Sequence, residues 1–307
     1  MRLAFLYPGQ GSQQPGMGSD LLEDAELSAL GDACADAAGV DLRRLLTQAD
    51  DEELRATENA QPALCFTSIA LTTLLRRRGI EPAAAAGHSV GEYAALWSAG
   101  CITATDAVRA VAERGRAMAS AMPAGTSSMA AVLGLPAGRV EAELEGVGDV
   151  WPANYNTATQ LVIGGRTDAL AKASEKLKAA GAKRVLPLNV SAAFHTPLMR
   201  PAAAELRRTL DRMEWREPAF PVPANVNSEP RTGATEIPDL LERQLYSPVR
   251  WADCVNRLIQ LGIDTFIEVG PKRALTGMLR ELAPGATALS VSNATSVLEV
   301  DLAAASA

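Results

Sequence analysis

Three kinds of residue are scarce in this sequence, and each scarcity narrows what the chain can be. Only 4% of the 307 residues are aromatic, and only two are histidine. The four cysteines lie far apart with no C-x-x-C pair, so we expect free thiols in a reducing compartment. No apolar run approaches the roughly 20 residues of a membrane span, and the first residues predict a strand, not a signal peptide. These absences favour a cytoplasmic protein with no membrane partner.

Charge and overall composition narrow the class further. The formal net charge is -7, with 36 acidic and 29 basic residues, which argues against nucleic acid as the main partner. Apolar residues make up 48% of the chain and charged residues 21%, the usual balance of a globular protein. A length of 307 residues allows one large domain or two smaller ones.

The most informative stretch is Gly87-His88-Ser89-Val90-Gly91-Glu92, called the serine turn below. It fits G-x-S-x-G, the pattern that carries a nucleophilic serine between a strand and a helix. Small apolar residues precede it and a predicted helix follows it, as that pattern requires. At the start of that helix, the backbone N–H of Val90 could stabilise an oxyanion. The pattern alone also fits a glycine-rich turn with an uninvolved serine.

A nucleophilic serine needs a base, and the chain offers two histidines. His88 adjoins Ser89, and neighbouring side chains on an extended chain point to opposite sides, so His88 is poorly placed to take the proton. His195, in a loop between two predicted elements, is the remaining candidate, although a purely structural histidine fits that position as well. Because no histidine follows it, the order of the residues differs from that of ordinary α/β-hydrolases.

Arg114 occupies an ambiguous position on a helix that Thr103 or Thr105 is predicted to cap. It lies three residues after Val111 and four before Met118, at the edge of the apolar face. An arginine there either extends its side chain to solvent or pairs with an anion in a cleft. Helical geometry alone favours solvent.

A change of pattern after residue 125 predicts a second folding unit. Residues 126–190 are predicted to form strand, helix, strand, strand, helix, strand, which is the ferredoxin-like order. We therefore predict an α/β fold in which this small ferredoxin-like (βαββαβ) subdomain is inserted into a larger one. The larger, α/β-hydrolase-like subdomain would comprise residues 1–125 and 191–307 around a short parallel sheet. An alanine-rich helix is predicted to end the chain.

These stretches resemble the malonyl-CoA:acyl-carrier-protein transacylases and the related acyltransferases of polyketide synthases. Eight matches occur in the order found in that family and span almost the whole chain. They are Pro8-Gly9-Gln10-Gly11-Ser12-Gln13, Gln61-Pro62-Ala63-Leu64, the serine turn, Arg114-Gly115-Arg116, Ala153-Asn154-Tyr155-Asn156, Phe194-His195-Thr196-Pro197-Leu198-Met199, Gln244-Leu245-Tyr246-Ser247-Pro248-Val249 and Glu268-Val269-Gly270-Pro271.

The resemblance implies five catalytic roles. Ser89 would carry the acyl group as an ester, and His195 would be the base that activates first the serine and later the incoming thiol. The backbone N–H groups of Gln10 and Val90 would form the oxyanion hole. The main-chain carbonyl of Gln244 would orient the histidine in place of a triad carboxylate.

The resemblance also implies a set of substrate-binding residues. Arg114 would pair with the free carboxylate of the malonyl group, which places it in the cleft, against the geometric interpretation above. Phe194 and Val90 resemble the malonyl-selective pattern, whereas Ala192 and Ala193 depart from the usual polyketide pattern and leave a larger extender such as methylmalonyl open. Three further residues belong to this set: Gln61, His88 and Asn156.

The implied activity is transfer of a malonyl group from malonyl-CoA to the phosphopantetheine thiol of an acyl carrier protein, in fatty-acid or polyketide synthesis. We expect a ping-pong reaction through an acyl-serine, no metal or redox cofactor, and a monomer. Two alternatives stay open: a hydrolase that clears acyl groups from carrier proteins, and a non-catalytic docking module. An acidic carrier would dock on a basic patch near the cleft. The candidates for that patch are Arg76, Arg77, Arg78, Lys183 and Arg184.

Overall fold

The computed structural model describes residues 1–301, which form eight β-strands and twelve α-helices. The strands are β1 (Leu3–Tyr7), β2 (Ala84–Gly87), β3 (Ser127–Leu133), β4 (Val150–Tyr155), β5 (Gln160–Arg166), β6 (Arg184–Pro187), β7 (Thr265–Val269) and β8 (Thr287–Val291). The helices are α1 (Ala25–Ala38), α2 (Leu42–Thr47), α3 (Thr57–Arg77), α4 (Gly91–Ser98), α5 (Ala104–Ser120), α6 (Ala137–Leu144), α7 (Thr167–Ala179), α8 (Arg200–Leu210), α9 (Ile237–Tyr246), α10 (Trp251–Gln260), α11 (Ala274–Leu282) and α12 (Ala294–Leu298). The helix predicted for the alanine-rich end of the chain lies outside the described residues.

A four-stranded parallel sheet, in the order β2-β1-β7-β8, forms the centre of the larger subdomain. Strands β1 and β7 are buried along their whole length, as expected for a parallel sheet covered by helices on both faces. Tyr7 pairs with Gly87, so the carboxyl ends of β1 and β2 meet at one edge of the sheet. This pairing places the loop after β1 beside the serine turn, at the edge where α/β proteins hold their ligands.

The second sheet is antiparallel, in the order β4-β5-β3-β6, and its strands all lie between residues 127 and 187. Helices α6 and α7 bury their apolar faces against it around Val132, Ile163 and Leu177. This is the ferredoxin-like order predicted for residues 126–190, so the predicted fold class with two subdomains is confirmed. The bounds of the two subdomains stay a prediction.

Helix α5 packs closely along α3 and carries Arg114 toward the serine turn. A side chain at Gly115 would place its Cβ 2.8 Å from the Cα of Glu58, so only glycine allows the two helices to approach so closely here. Thr103, not Thr105, is the N-cap of α5, because its hydroxyl accepts the backbone N–H of Asp106. The interior of α3 is nearly all buried, which fixes the position of α5 on it.

The four cysteines are buried and free, as predicted. Burial raises the pKa of Cys34, Cys101 and Cys254 to about 12, and it raises that of Cys65 as well, so none is reactive at neutral pH. Within residues 1–301, no helix combines the length and the apolar character that crossing a bilayer requires. Over the same residues, no group of three or more His, Cys, Asp and Glu side chains is arranged to hold a metal ion.

Candidate active site

The serine turn has the conformation that exposes a nucleophile. Strand β2 ends at Gly87 and α4 begins at Gly91, so three residues make the connection. Ser89 has a φ of 53°, the left-handed region that non-glycine residues rarely adopt and that occurs at functional sites. A Cβ on Gly91 would lie 2.2 Å from the main-chain oxygen of Tyr7, so the turn packs against β1 more closely than a side chain would permit.

The structure brings together the predicted nucleophile, base and orienting carbonyl. Ser89 Oγ lies 2.7 Å from His195 Nε2, and His195 Nδ1 lies 2.8 Å from the main-chain oxygen of Gln244. A carbonyl oxygen only accepts, so Nδ1 carries the proton and Nε2 presents its lone pair to the Ser89 hydroxyl. His195 also has a left-handed φ of 60°, so both reacting side chains sit on unusual backbone.

Burial keeps the His195 imidazole neutral. Desolvation, the largest effect, and the positive charge of Arg114 together lower its pKa to about 3, although the hydrogen bond to Gln244 opposes both effects. The imidazole can therefore accept the Ser89 proton throughout the neutral range. Because the unfolded chain binds a proton below about pH 6.5 that the folded chain does not, the stability from this group is complete above that pH and decreases as the pH falls.

This pKa gives a measurable pH profile. We expect the rate at which phenylmethylsulfonyl fluoride modifies Ser89 to stay nearly constant from about pH 7.5 down to about pH 5.5, whereas an ordinary histidine would lose about tenfold over that range. Circular dichroism at each pH checks that the protein is still folded. A midpoint near the ordinary histidine pKa would contradict the deduced environment of His195.

Arg114 is buried and has no counter-anion within the described residues. Its side chain is 1% exposed, so the interpretation that it extends to solvent is wrong. Its Nη1 donates to Gln61 Oε1 at 2.8 Å, and its Nη2 donates to Ser89 Oγ at 3.0 Å and to Gln244 Oε1 at 2.9 Å. All three acceptors are neutral oxygens. Burial lowers the pKa of Arg114 to about 10, so it stays cationic at neutral pH.

Two backbone N–H groups are free beside the serine. Neither Gln10 nor Val90 donates its backbone N–H to any atom of residues 1–301. Gln10 follows β1, and its side-chain Nε2 donates to Thr57 Oγ1 at 3.1 Å, which ties the loop to α3. Gly9 packs its backbone against the serine turn, where a Cβ would lie 2.8 Å from the main-chain oxygen of His88. The two donors therefore flank the nucleophile, as the resemblance implies for an oxyanion hole.

A cleft of about 300 Å³ opens onto these groups. Six of the predicted site residues line it: Gln10, His88, Ser89, Arg114, Phe194 and His195. The rest of the lining includes Met118, Met129, Asn154 and Leu188.

The other predicted site residues lie behind the wall of the cleft. Gln61 reaches the cleft through its contacts with Arg114 and Met118, and Gln244 through Ser89, Arg114 and His195. Asn156 Oδ1 lies 3.0 Å from His88 Nε2, so it positions that ring instead of facing the cleft. The bond of His88 to Asn156 also explains why His88 does not compete for the Ser89 proton.

Two buried residues behind the serine turn, Asn225 and Arg231, escaped the sequence analysis. Asn225 accepts the backbone N–H of Ser89 at 2.7 Å through Oδ1 and donates Nδ2 to the main-chain oxygen of Gly87 at 2.7 Å. Glu92 Oε2 accepts the backbone N–H of Asn225 at 2.9 Å, and Glu92 Oε1 forms an ion pair with Arg231. No periodicity or motif marks Asn225 or Arg231, whose partners are more than 130 positions away.

The Glu92–Arg231 pair has a large expected effect on stability. Both side chains are at most 1% exposed, and burial lowers the pKa of Arg231 to about 10. Arg231→Met would leave the Glu92 carboxylate buried without a counter-ion, so we expect the free energy of unfolding to fall by about 3–5 kcal/mol. Urea titration measures it. The control is Arg257→Met, which breaks the half-exposed pair with Glu229 and should cost at most about 1 kcal/mol.

The basic patch predicted from the sequence is only partly near the cleft. Arg76, Arg77 and Arg78 lie at the far end of α3, about 30 Å from the Thr57 end that contacts Gln10, at about 1.5 Å per residue. Arg77 is already paired with acidic side chains of the α1 region, and Arg78 donates to carbonyls near α12. These three were predicted to lie near the cleft, and that prediction is wrong.

The remaining two basic candidates lie at the start of the strand that leads to the cleft. Lys183 and Arg184 are exposed at the start of β6, and Leu188, just beyond the end of that strand, lines the cleft. A strand of this length spans about 13 Å at about 3.3 Å per residue. Their part in carrier docking stays a prediction.

A buried serine–histidine pair, beside two backbone N–H groups that are free within residues 1–301, suits enzymes that transfer acyl groups to water or to another acceptor, and comparison with known proteins narrows the class. The acyl transferase domain family matches residues 4–298, nearly the whole of the sequence. The chain therefore belongs to the acyl transferase family, and the prediction that it is an acyltransferase is confirmed.

Two relatives within that family share one name. The malonyl CoA-acyl carrier protein transacylase of Bacillus subtilis (strain 168) is 41% identical over 297 residues, covering 95% of this chain and 94% of the relative. That of Escherichia coli (strain K12) is 41% identical over 292 residues, covering 94% of each. The predicted family resemblance is thus confirmed.

Solved structures agree in fold over the same length. An acyl carrier protein S-malonyltransferase from Vibrio cholerae superposes with a TM-score of 0.94 at 40% identity, covering 98% of this chain and all of that one. A malonyl-transacylase solved in complex with a type II polyketide-synthase acyl carrier protein gives a TM-score of 0.93 at 38% identity, covering 97% of this chain and 98% of that one.

Proposed function

We propose that this chain transfers a malonyl group from malonyl-CoA to the phosphopantetheine thiol of an acyl carrier protein. The main support is Arg114, a buried cation 3.0 Å from Ser89 Oγ that has no counter-anion in residues 1–301. A carboxylate on the acyl group would supply that anion, because a planar guanidinium binds a carboxylate through two parallel hydrogen bonds. The malonyl transacylases among the relatives, and the one solved with its carrier, support the same substrate and partner.

The first half-reaction would form an acyl-enzyme. Ser89 Oγ attacks the carbonyl carbon of malonyl-CoA while its proton passes to His195 Nε2. The carbonyl oxygen becomes an oxyanion within reach of the backbone N–H groups of Gln10 and Val90. The carbon–sulfur bond then breaks, CoA takes the proton from His195 and leaves as a thiol, and a malonyl ester remains on Ser89.

The second half-reaction would reverse these steps with a different thiol. His195 accepts the proton of the carrier's phosphopantetheine thiol, and the thiolate attacks the ester carbonyl. Ser89 Oγ leaves and recovers the proton from His195. Each proton has a donor and an acceptor among these residues and substrates, so the proposed steps invoke no metal or redox cofactor, and the lack of a cofactor stays a prediction.

The decisive experiment separates transfer from hydrolysis. The protein is incubated with labelled malonyl-CoA, and the labelled peptide is identified by mass spectrometry; we expect one malonyl group, on Ser89. Adding a phosphopantetheinylated carrier should move the label to the carrier, whereas the same carrier without its phosphopantetheine arm should not accept it. Rapid release of free malonate without transfer would favour the hydrolase, and absence of any label on Ser89 would favour the docking module.

Four finer points go with this proposal: the pathway, the preference for malonyl, the monomeric state and the cytoplasmic location. A panel of fatty-acid and polyketide carriers in the same assay would identify the pathway, since one of the relatives comes from a polyketide system. Competition between malonyl-CoA and methylmalonyl-CoA would test the malonyl preference inferred from Phe194, which does lie on the cleft wall. The monomeric state and the cytoplasmic location stay predictions.

A further inference from the structure

We infer that the side chain of Gln244, and not only its main-chain carbonyl, positions Arg114 for the substrate carboxylate. The inference rests on the proposed function, because it concerns how that carboxylate is held. Gln244 is fully buried on α9, and both ends of its amide make hydrogen bonds. The resemblance assigned a role only to its carbonyl oxygen, so the side chain is left without one.

The neighbours of Gln244 determine which way its amide points. Oε1 accepts from Arg114 Nη2 at 2.9 Å, and Nε2 donates to Glu92 Oε2 at 2.8 Å and to the main-chain oxygen of Ser89 at 3.1 Å. The reversed amide would set its NH₂ against a guanidinium and its oxygen against a carboxylate. Neither contact can form a hydrogen bond, so only one orientation satisfies this site.

A buried ion pair, Glu92–Arg231, fixes the end of the Gln244 amide that points away from Arg114. Glu92 accepts from Gln244 through one oxygen and pairs with Arg231 through the other, and Arg231 also donates Nη1 to the main-chain oxygen of Val222 at 3.0 Å. The position of Arg114 therefore depends on a continuous chain of buried contacts: Arg231, Glu92, Gln244, Arg114. The Nε atoms of Arg114 and Arg231 have no hydrogen-bond partner within residues 1–301, so the contacts of their terminal nitrogens and of both ends of the Gln244 amide define the geometry.

The role of the Gln244 side chain can be tested apart from the other parts of the site. Any substitution keeps the main-chain carbonyl that orients His195. The serine turn keeps its two hydrogen bonds with Asn225 when the side-chain amide of Gln244 is removed. Arg114, in contrast, would keep only Gln61 and the Ser89 hydroxyl as acceptors. Loss of the amide should therefore disturb carboxylate binding much more than the reactivity of the serine.

Gln244→Met in the full chain tests this, since methionine has a similar length and no hydrogen-bonding amide. We expect kcat/KM for malonyl-CoA to fall about 10- to 100-fold, mainly through KM, as a small misplacement of a binding group can cause. The rate of modification by phenylmethylsulfonyl fluoride should change far less. A parallel fall of both rates would mean that the side chain only supports the fold, and would overturn the inference. Gln48→Met, at an exposed position after α2, is the matched control and should leave both rates unchanged.

A double-mutant cycle gives the sharper answer. If Gln244 acts through Arg114, then Gln244→Met should lower malonyl transfer no further in a chain that already carries Arg114→Ala. Losses that multiply would overturn the inference. The proposed function fails differently: in that case the native chain itself forms no malonyl-Ser89 and transfers no malonyl group to the carrier. A large loss in Arg114→Ala combined with an unaffected Gln244→Met would refute only the role of Gln244.

Discussion

Ser89→Ala is expected to lower the rate of malonyl transfer at least about 10⁴-fold, the size of loss seen when the nucleophile of a serine–histidine pair is removed. The acyl-serine intermediate cannot form without Oγ, and the Arg114 guanidinium has no nucleophilic atom that could replace it. What remains is the pair of free N–H groups at Gln10 and Val90, which can still polarise a bound thioester. The measurement is initial-rate transfer to a phosphopantetheinylated carrier, with intact-mass analysis of the enzyme after incubation with malonyl-CoA.

The control for that variant lies on the helix that follows the serine turn. Ser98→Ala removes a hydroxyl that is also buried, at the far end of α4, and should leave the transfer rate unchanged. The Ser89→Ala protein should also carry no malonyl group by mass. A stable malonyl adduct elsewhere, with transfer retained, would show that another residue is the nucleophile and that the serine turn serves only the fold.

The parts of this site that were predictable are those that short sequence stretches determine. The serine turn was predictable because two glycines, a small-residue strand and a helix follow one another within a few positions, and the close contacts at Gly87 and Gly91 require them. The antiparallel sheet was predictable for the same reason, since each of its elements shows its own periodicity. His195 followed by elimination, because the chain has only two histidines.

The parts that were not predictable depend on distant residues. Periodicity placed Arg114 on the edge of an apolar face, but it carries no information on what covers that edge, and here Gln61 and Gln244 do. The Glu92–Arg231 pair joins positions 139 apart in the chain, one of them in an irregular segment between helices. Neither local propensity nor hydrophobic pattern records such a pairing, so only the folded chain reveals it.

The second large effect concerns the choice of acyl group. Arg114→Ala is expected to lower kcat/KM for malonyl-CoA by at least about 10²-fold. Without the guanidinium, the free carboxylate of the malonyl group enters a buried site that offers it no charged partner. The same change should make acetyl-CoA a better substrate relative to malonyl-CoA. In the native chain, an acetyl group leaves the buried guanidinium unpaired, and leaving a buried charge without a partner costs more than losing one contact. Removing the guanidinium removes that penalty.

Competition between malonyl-CoA and acetyl-CoA measures this selectivity directly, with Arg109→Ala as the matched control. Arg109 lies five residues earlier on the same helix, is 39% exposed and pairs with Asp106 at 2.6 Å, so its loss should alter neither rate. Arg114→Lys keeps the charge but not the planar pair of donors, and we expect it to recover only part of the malonyl rate. Selectivity that is unchanged in Arg114→Ala would mean that the buried cation serves the Ser89 hydroxyl alone, and that the malonyl carboxylate is held elsewhere in the cleft.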